Sequence, residues 1–524
     1  MLSSPFDPLT EDFSRLDSTQ AVELIRDLLW AEAFRIGLPT TRVSITTNVN
    51  IADGGVDVAV LVPPDDGPAS GLLEASTAFQ VKAGSSSRPW QPSWVRTELF
   101  GHAGVGGEHL GNAVRDCLQD GYRYVLVCTG IQFTEEQRRA AVKHFGDMLA
   151  QCGFGRTRIE VWGQSQLLGL LRPFPSLCYR VSRKPPARCQ TFAGWALDAE
   201  MQRSFVADSA HCETCSEIRQ RLRGPAGAHV RVLGEPGVGK TRLVLETLRE
   251  ETLAPLVVYA RDPAAVHSSE WFHEVLGSDS TATLILIVDE CNVAESRELW
   301  NVLKFRSGRV RLITIDHGVD DACDDAFYVF RVPPLGLNAV REILARYIQS
   351  SHEVLRWAEF CEGSPRVAHL VGSNLQNDPY EMLRSPASVD VWGRFIAGSD
   401  DLGSREVEQR TTVLRCLSLF ERCGIRGAVQ FEGEFVSRIA NAIDAQIDWG
   451  RFRQILAPLQ ERRIVQGRST CFLVPKMLQV KLFAEFWELY GDLHEVSEIL
   501  NEMPASLERW FVPMLKYCHL SSVA

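Results

Sequence analysis

The chain has 524 residues, 45% of them hydrophobic and 23% charged, with 39 glycines and 25 prolines. This ordinary globular composition excludes collagen-like, low-complexity and wholly disordered readings, and at roughly 100–200 residues per domain the length predicts about three or four domains. Lys and Arg total 55 against 66 Asp and Glu, a net charge of −11, so a basic nucleic-acid coat is excluded and any nucleic-acid contact is expected to be local or gated.

No apolar run approaches the length of about eighteen residues that a membrane span needs, and MLSSPFDPLTEDF has no basic-then-apolar signal; a soluble, cytoplasmic protein with no membrane contact is expected. The fourteen cysteines are scattered, many in apolar runs such as YVLVCTG around Cys128, which reads as reduced core thiols. His211-Cys212-Glu213-Thr214-Cys215 carries a C-x-x-C with an adjacent histidine. A structural zinc site needs four ligands and no second pair stands at zinc spacing, so a metal-free reading is preferred.

In chain order, 18–37 opens on a Ser/Thr cap, carries Val22, Ile25, Leu28, Leu29 and Ala33 at helical spacing, and stops at Gly37-Leu38-Pro39; this predicts a helix. GVDVAVLV (55–62) and STAFQVKA (76–83) read as strands joined by the turn-rich PPDDGPASG, followed by strand RYVLVCTG, helix TEEQRRAAVKHFGDML and strand RIEVWG. Pro173, Pro175 and Arg183-Lys184-Pro185-Pro186 predict a linker. A second block follows: helix SEIRQRLR, strand HVRVLG, a glycine loop, helix TRLVLETLREE, then strands PLVVYA, TLILIVDE and RVRLITID. Strands alternating with helices predict a parallel sheet with crossover connections. From Leu337 on, amphipathic helices dominate, except that 461–475 reads as a small hairpin.

Residues 234–241, GEPGVGKT, match G-x-x-x-x-G-K-[ST] through Gly234, Gly239, Lys240 and Thr241. Glycines let backbone amides close around phosphate oxygens, the lysine reaches the terminal phosphates, and the hydroxyl takes a Mg²⁺ position. The predicted nucleotide-binding set is Gly234, Glu235, Pro236, Gly237, Val238, Gly239, Lys240, Thr241 and Arg242, with Asp289 and Pro365. LILIVDE ends in Asp289, placed to hold Mg²⁺ with Thr241, and Glu290, placed to orient or deprotonate the attacking water.

GEPGVGKTRLVLE, LILIVDEC, RLITID and CEGSPRVA (361–368) together resemble the STAND class of AAA-related NTPases. The resemblance implies ATP with Mg²⁺ as cofactors and a helical lid whose Gly363-Ser364-Pro365 touches the nucleotide. It also implies a winged helix behind the lid. Two departures stand out: Thr314-Ile315-Asp316 lacks the arginine many relatives carry, and the region around Val474-Pro475-Lys476 lacks Met-His-Asp. Arg311 and Arg341 are the remaining candidates for sensing the phosphates.

Asp57, Gln80 and Lys82 form a D…QxK pattern, with Gln80 and Lys82 on one face of a strand by alternation. Metal-dependent phosphodiester hydrolysis needs a carboxylate, further oxygen ligands and a basic residue near the developing charge. Asp57 and Gln80 would ligate the metal, Lys82 would supply the charge, and Glu23, with Glu32 as a weaker alternative, would add a ligand or position water. The order of Glu23 on a helix, DGGVD and FQVK resembles the Mrr-type branch of PD-(D/E)xK nucleases. Gly101–Gly107 reads as a mobile loop near that site, and Trp90 and Trp94 as either a nucleic-acid clamp or a docking surface for the next domain.

The expected fold is α/β multidomain: a restriction-endonuclease-like domain over 1–182, a linker over 183–212, a P-loop core over 213–336, a lid over 337–395, a winged helix over 396–490, and the start of a C-terminal helical region over 491–524. The combination resembles bacterial antiviral STAND NTPases of the Avs type. That resemblance implies a Mg²⁺-dependent endonuclease acting on double-stranded DNA, a viral protein trigger, and a homo-oligomer such as a tetramer when activated. The tail after 490 is short for a sensor, so sensing by a missing region or another subunit is expected. Two alternatives stay open: an NTP-driven restriction factor for modified DNA, and a signalling scaffold with a decayed nuclease fold.

Overall fold

Residues alternate along the central N-terminal strands, Thr77–Lys82 and Arg123–Cys128, so that each buries one face under one helical layer and the other face under a second. The structure is a computed structural model that describes residues 7–38, 44–47, 55–62, 72–100, 109–184, 189–198, 201–224, 228–235, 237–267, 269–277, 280–306, 309–316, 327–377, 391–397, 403–462, 464–467 and 469–520. Pro236, Asp53, Gly54 and the Gly101–Gly107 loop lie outside these. Strands β1 (Ser44–Thr47), β2 (Val58–Leu61), β3 (Thr77–Lys82), β4 (Arg123–Cys128) and β5 (Ile159–Trp162) lie side by side in chain order. β1 to β3 are antiparallel; β4 and β5 add parallel to β3.

Helix Ser18–Arg35, capped by Asp17 accepting from the Gln20 amide, covers one face and packs on Phe79, Val81, Val125 and Val127. Helices Pro92–Phe100, Asn112–Gln119 and Glu135–Gln151 cover the other face, over Ala78, Tyr124 and Leu126. Period-two alternation therefore carries Gln80 and Lys82 away from helix Ser18–Arg35. β1 and the two short helices between β3 and β4, nine and eight residues long, are additions that the structure makes to the sequence reading.

The second sheet consists of β6 (Cys189–Thr191), β7 (His229–Leu233), β8 (Val257–Ala260), β9 (Leu284–Val288), β10 (Val310–Asp316) and β11 (Tyr328–Arg331), in the order β11-β7-β10-β9-β8-β6. All are parallel except β6, which runs antiparallel to β8 at the edge. The central strands are buried along their whole length, as expected for strands covered on both faces. This order brings the C-terminal ends of β7, β9 and β10 together.

The segment 183–212 departs from the linker its prolines predict. Cys189 is buried, Trp195 stacks on Tyr259 with centroids 4.3 Å apart, and helix Ser209–Arg223 begins inside it. The two domains also share one continuous buried cluster, reaching from Phe13 through Phe79 to Val332. Helices Ser18–Arg35 and Pro175–Ser182 pack on the turn Ala254–Leu256 before β8.

Helices Leu337–Leu344, Ser351–Phe360, Pro365–Asn377 and Val391–Ala397 form a helical group after β11. Helices Arg405–Ser418, Gln430–Ile443 and Trp449–Glu461 follow, with a small antiparallel sheet of β12 (Cys423–Gly424), β13 (Val465–Gln466) and β14 (Thr470–Leu473) in the order β12-β14-β13. A second buried cluster runs from Val206 to Met514 and joins the helical group to this module. Among the described residues, no helix is long and apolar enough to cross a membrane.

Candidate functional sites

Between β7 and helix Lys240–Thr247 the chain must wrap tightly enough for its amides to point inward. Gly239 sits at φ +94°, in the left-handed region that glycine tolerates, and a Cβ there would lie 3.4 Å from Pro365 Cγ. Lys240 Nζ donates to the carbonyls of Gly234 and Glu235, both at 2.8 Å. Burial pulls its ammonium down to about 7, opposed by the carboxylates of Asp289 and Asp316. Thr241 Oγ1 donates to Asp289 Oδ2 at 2.9 Å, across the gap between the loop and the end of β9.

Asp289 is held from three directions, because the Tyr259 hydroxyl donates to the same Oδ2 at 3.0 Å and the Glu290 amide donates to Oδ1 at 2.9 Å. Glu290 follows at φ +51°, a backbone region few non-glycine residues adopt. Tyr259 was not expected from the sequence; its position on the neighbouring parallel strand is the signal that could have found it.

The helical group after β11 contacts the loop. Ser364 Oγ donates to the Gly237 carbonyl at 3.1 Å, and a Cβ on Gly237 would meet Pro475 Cβ of the C-terminal module at 3.6 Å. Gly363, at φ +77°, leaves no room for a Cβ against Pro334 and Leu335. Behind the loop lies a cavity of about 150 Å³, lined by Phe205, Val206, His211, Leu335, Ile343 and His369 among others. Val238 is buried in its wall, and Glu235 is exposed. Arg242 is directed away from a phosphate role: it pairs with Glu246 at 2.7 Å and donates to the carbonyls of Met201 and Arg203, tying down the strap that walls the cavity.

Of the two sensing candidates, Arg311 donates to the carbonyls of Leu222 and Gly224 and lies over Phe34, a structural role, while Arg341 is exposed on helix Leu337–Leu344. Arg231 and Asp316 instead form a buried ion pair at 3.0 Å beneath the loop.

The N-terminal cluster forms on the sheet face opposite helix Ser18–Arg35. Asp57 Oδ2 accepts from the Val81 amide at 2.7 Å, which fixes the carboxylate beside β3. Gln80 Nε2 donates to Glu98 Oε1 at 2.6 Å, Lys82 Nζ pairs with the same carboxylate, and the Tyr124 hydroxyl donates to Gln80 Oε1. Burial, with the Glu98 and Asp57 carboxylates, pushes the Tyr124 hydroxyl well above its usual range. Asp57, Gln80 and Lys82 thus converge, and Glu98 and Tyr124 join them. Glu98 follows the buried Val95 on a short helix and precedes the buried Leu99, a pattern too brief to single it out in sequence.

Glu23 is not brought to this cluster. It pairs with Arg180 at 2.8 Å on the other side of the sheet, where Arg180 also meets Asp27. Glu32 is likewise held by Arg35 at 2.6 Å. The reason is the alternation of β3, which turns Phe79 and Val81, not Gln80 and Lys82, toward that helix.

Trp90 packs edge-on to Phe133 with centroids 6.0 Å apart, and with Trp94 it borders the core of its own domain. Cys212 and Cys215 lie on helix Ser209–Arg223, one exposed and one buried. Among the described residues no group of three His, Cys, Asp or Glu could hold a metal ion.

No family model matches the chain, and no curated protein matches it. Solved structures match in part. PCH-2 of C. elegans is 13% identical with a TM-score of 0.26, over 33% of this chain and 64% of that one. Cdc6p of Pyrobaculum aerophilum is 15% identical with a TM-score of 0.28, over 54% and 96%. The STAND protein with a tetratricopeptide repeat sensor, PH0952 of Pyrococcus horikoshii, is 14% identical with a TM-score of 0.28, over 61% and 49%. The chain spans less than two thirds of the first and about half of the third.

Proposed function

We propose that the chain is an ATP-dependent STAND switch that controls a metal-dependent DNA endonuclease in antiphage defence. The observation that carries the switch reading is the 2.9 Å contact between Thr241 and Asp289 at the mouth of a glycine loop whose lysine is buried against it. Loop amides and Lys240 would hold the phosphates, Thr241 and Asp289 would hold Mg²⁺ largely through water, and Glu290 would orient the attacking water. Magnesium bound there supplies charge neutralisation on the β- and γ-phosphates.

The nuclease reading rests on the convergence of Asp57, Glu98, Gln80 and Lys82 at the point where the antiparallel strands meet the parallel ones. Two carboxylates and an amide oxygen suit a hard divalent cation, and Lys82 suits the developing negative charge. Lys82 is neutralised by Glu98 as the cluster stands, so metal binding to Glu98 would release the lysine toward a phosphodiester.

Regulation follows from the lid. Ser364 and Pro365 hold the loop from one side and Pro475 from another, so opening must separate the C-terminal module from the loop. Moving such an equilibrium from 1:99 to 99:1 takes about 5.5 kcal/mol of differential binding. Cells hold millimolar ATP at rest, so a trigger, proposed as a viral protein, contributes the remainder and drives assembly into a homo-oligomer.

Plasmid incubated with the chain, ATP, Mg²⁺ or Mn²⁺ and an extract of phage-infected cells as the source of the trigger tests this. Cleavage by the parent, lost in Asp57→Ala and in Lys82→Ala and stopped by chelator, is the expected result. Intact ATP binding with no cleavage in phage-infected or uninfected extract would favour the scaffold reading.

A further inference from the structure

The His211-Cys212-Glu213-Thr214-Cys215 motif finds its explanation at the nucleotide loop. Helix Ser209–Arg223 is capped by Asp208, whose Oδ1 accepts from the His211 amide at 3.1 Å and lies 2.7 Å from His211 Nδ1. Asp208 Oδ2 accepts from the Gly336 amide at 3.0 Å, where the lid begins. Burial opposes ionisation of Asp208, but the hydrogen bonds from the His211 side chain and from the Gly336 and His211 amides hold its carboxyl down to about 2. An ionised carboxylate accepts only, so His211 Nδ1 carries a proton, and in the neutral form of the ring Nε2 presents a lone pair.

His211 is 2% exposed, and its Nε2 is buried with no hydrogen-bond partner. A buried acceptor without a donor is costly and marks a place where a donor is supplied. The side chain lines the cavity of about 150 Å³ whose other wall is Gly237 to Arg242. Phe205, Val206, Leu335 and Ile343 give that cavity an apolar wall facing polar groups that include His369 and Arg366, a mixture that suits a flat heterocycle with polar edges.

We infer that His211 is a specificity-determining residue for the nucleobase: its Nε2 accepts a hydrogen bond from the exocyclic amine of adenine and disfavours 6-oxopurines. The inference rests on the reading that loop 234–241 binds a nucleoside triphosphate. A 6-oxo group in the same place would set two acceptors against each other in a buried site. A site built around one hydrogen bond rejects an analogue that cannot make it, because the protein group is left unpaired. Asp208 is the positioning residue, since it fixes which ring nitrogen carries the proton and links it to the start of the lid.

ATP and ITP share their phosphates and ribose and differ only at the base, so the ratio of their affinities isolates base reading from folding and phosphate binding. Calorimetric titration of the full chain with each magnesium nucleotide should show ATP tighter by about 10- to 100-fold. In His211→Leu the two should bind within about threefold of each other. His211→Gln, which restores an acceptor oxygen, should recover part of the preference. Equal binding of ATP and ITP by the parent, or an unchanged ratio in His211→Leu, would overturn the inference while leaving the nucleotide loop intact. Failure of the parent to bind either nucleotide would instead refute the loop reading itself.

Discussion

The protonation of Lys240 makes nucleotide affinity depend on pH in a direction the structure fixes. Burial holds the free ammonium near about 7, whereas a bound triphosphate would surround it with negative charge and raise it. The bound state therefore holds the proton more tightly than the free state, and binding takes up a proton at any pH above the free value. Taking about 7 for the free lysine, half the molecules carry the charge at pH 7 but only about one in a hundred at pH 9, so MgATP affinity should fall about fiftyfold between them. Calorimetry at pH 8 in two buffers of different ionisation enthalpy should report about 0.9 proton taken up per nucleotide. MgATP suits this assay because its own phosphates are already ionised across the range. A flat affinity from pH 7 to 9 with no proton uptake would show that Lys240 does not change its protonation on binding nucleotide.

Tyr259→Phe removes one of the two hydroxyls on Asp289 Oδ2, and the Mg²⁺ concentration needed for ATP hydrolysis should rise about tenfold or more while magnesium-free ATP binding holds; an unchanged Mg²⁺ titration would deny Tyr259 a positioning role. Glu98→Gln should lower DNA cleavage about a hundredfold or more. Glu23→Gln should leave cleavage at the parent rate, because Glu23 faces Arg180 on the other side of the sheet; cleavage assays that reverse this order would restore the helix glutamate to the site.

Sequence patterns carried the phosphate loop, the strand ending in Asp289 and the D…QxK strand, because each is a local run whose spacing encodes its geometry. The long helix at residues 18–35 was equally plain, with a polar cap before and glycine after it. What sequence could not supply was the side of the sheet on which that helix lies. Glu23 was matched by order alone, and the alternation of β3 sends it away from Gln80 and Lys82. Glu98 and Tyr124 escaped notice because they reach the cluster through tertiary packing, from a nine-residue helix and a fully buried strand. The prolines near residue 185 pointed to a tether, but the apolar residues beyond them were decisive: Cys189 and Trp195 are drawn into the second sheet, leaving the two domains joined through a shared core.

Titrating MgATP into the parent and into Lys240→Ala tests the central claim, nucleotide binding at loop 234–241, most directly. Lys240 is the charged side chain inside the loop, and its removal should weaken binding by at least about a hundredfold while the melting temperature without nucleotide changes little. Saturable binding by the parent and none by the variant at the same concentrations is the predicted result. Equal affinity in the two proteins would contradict the account.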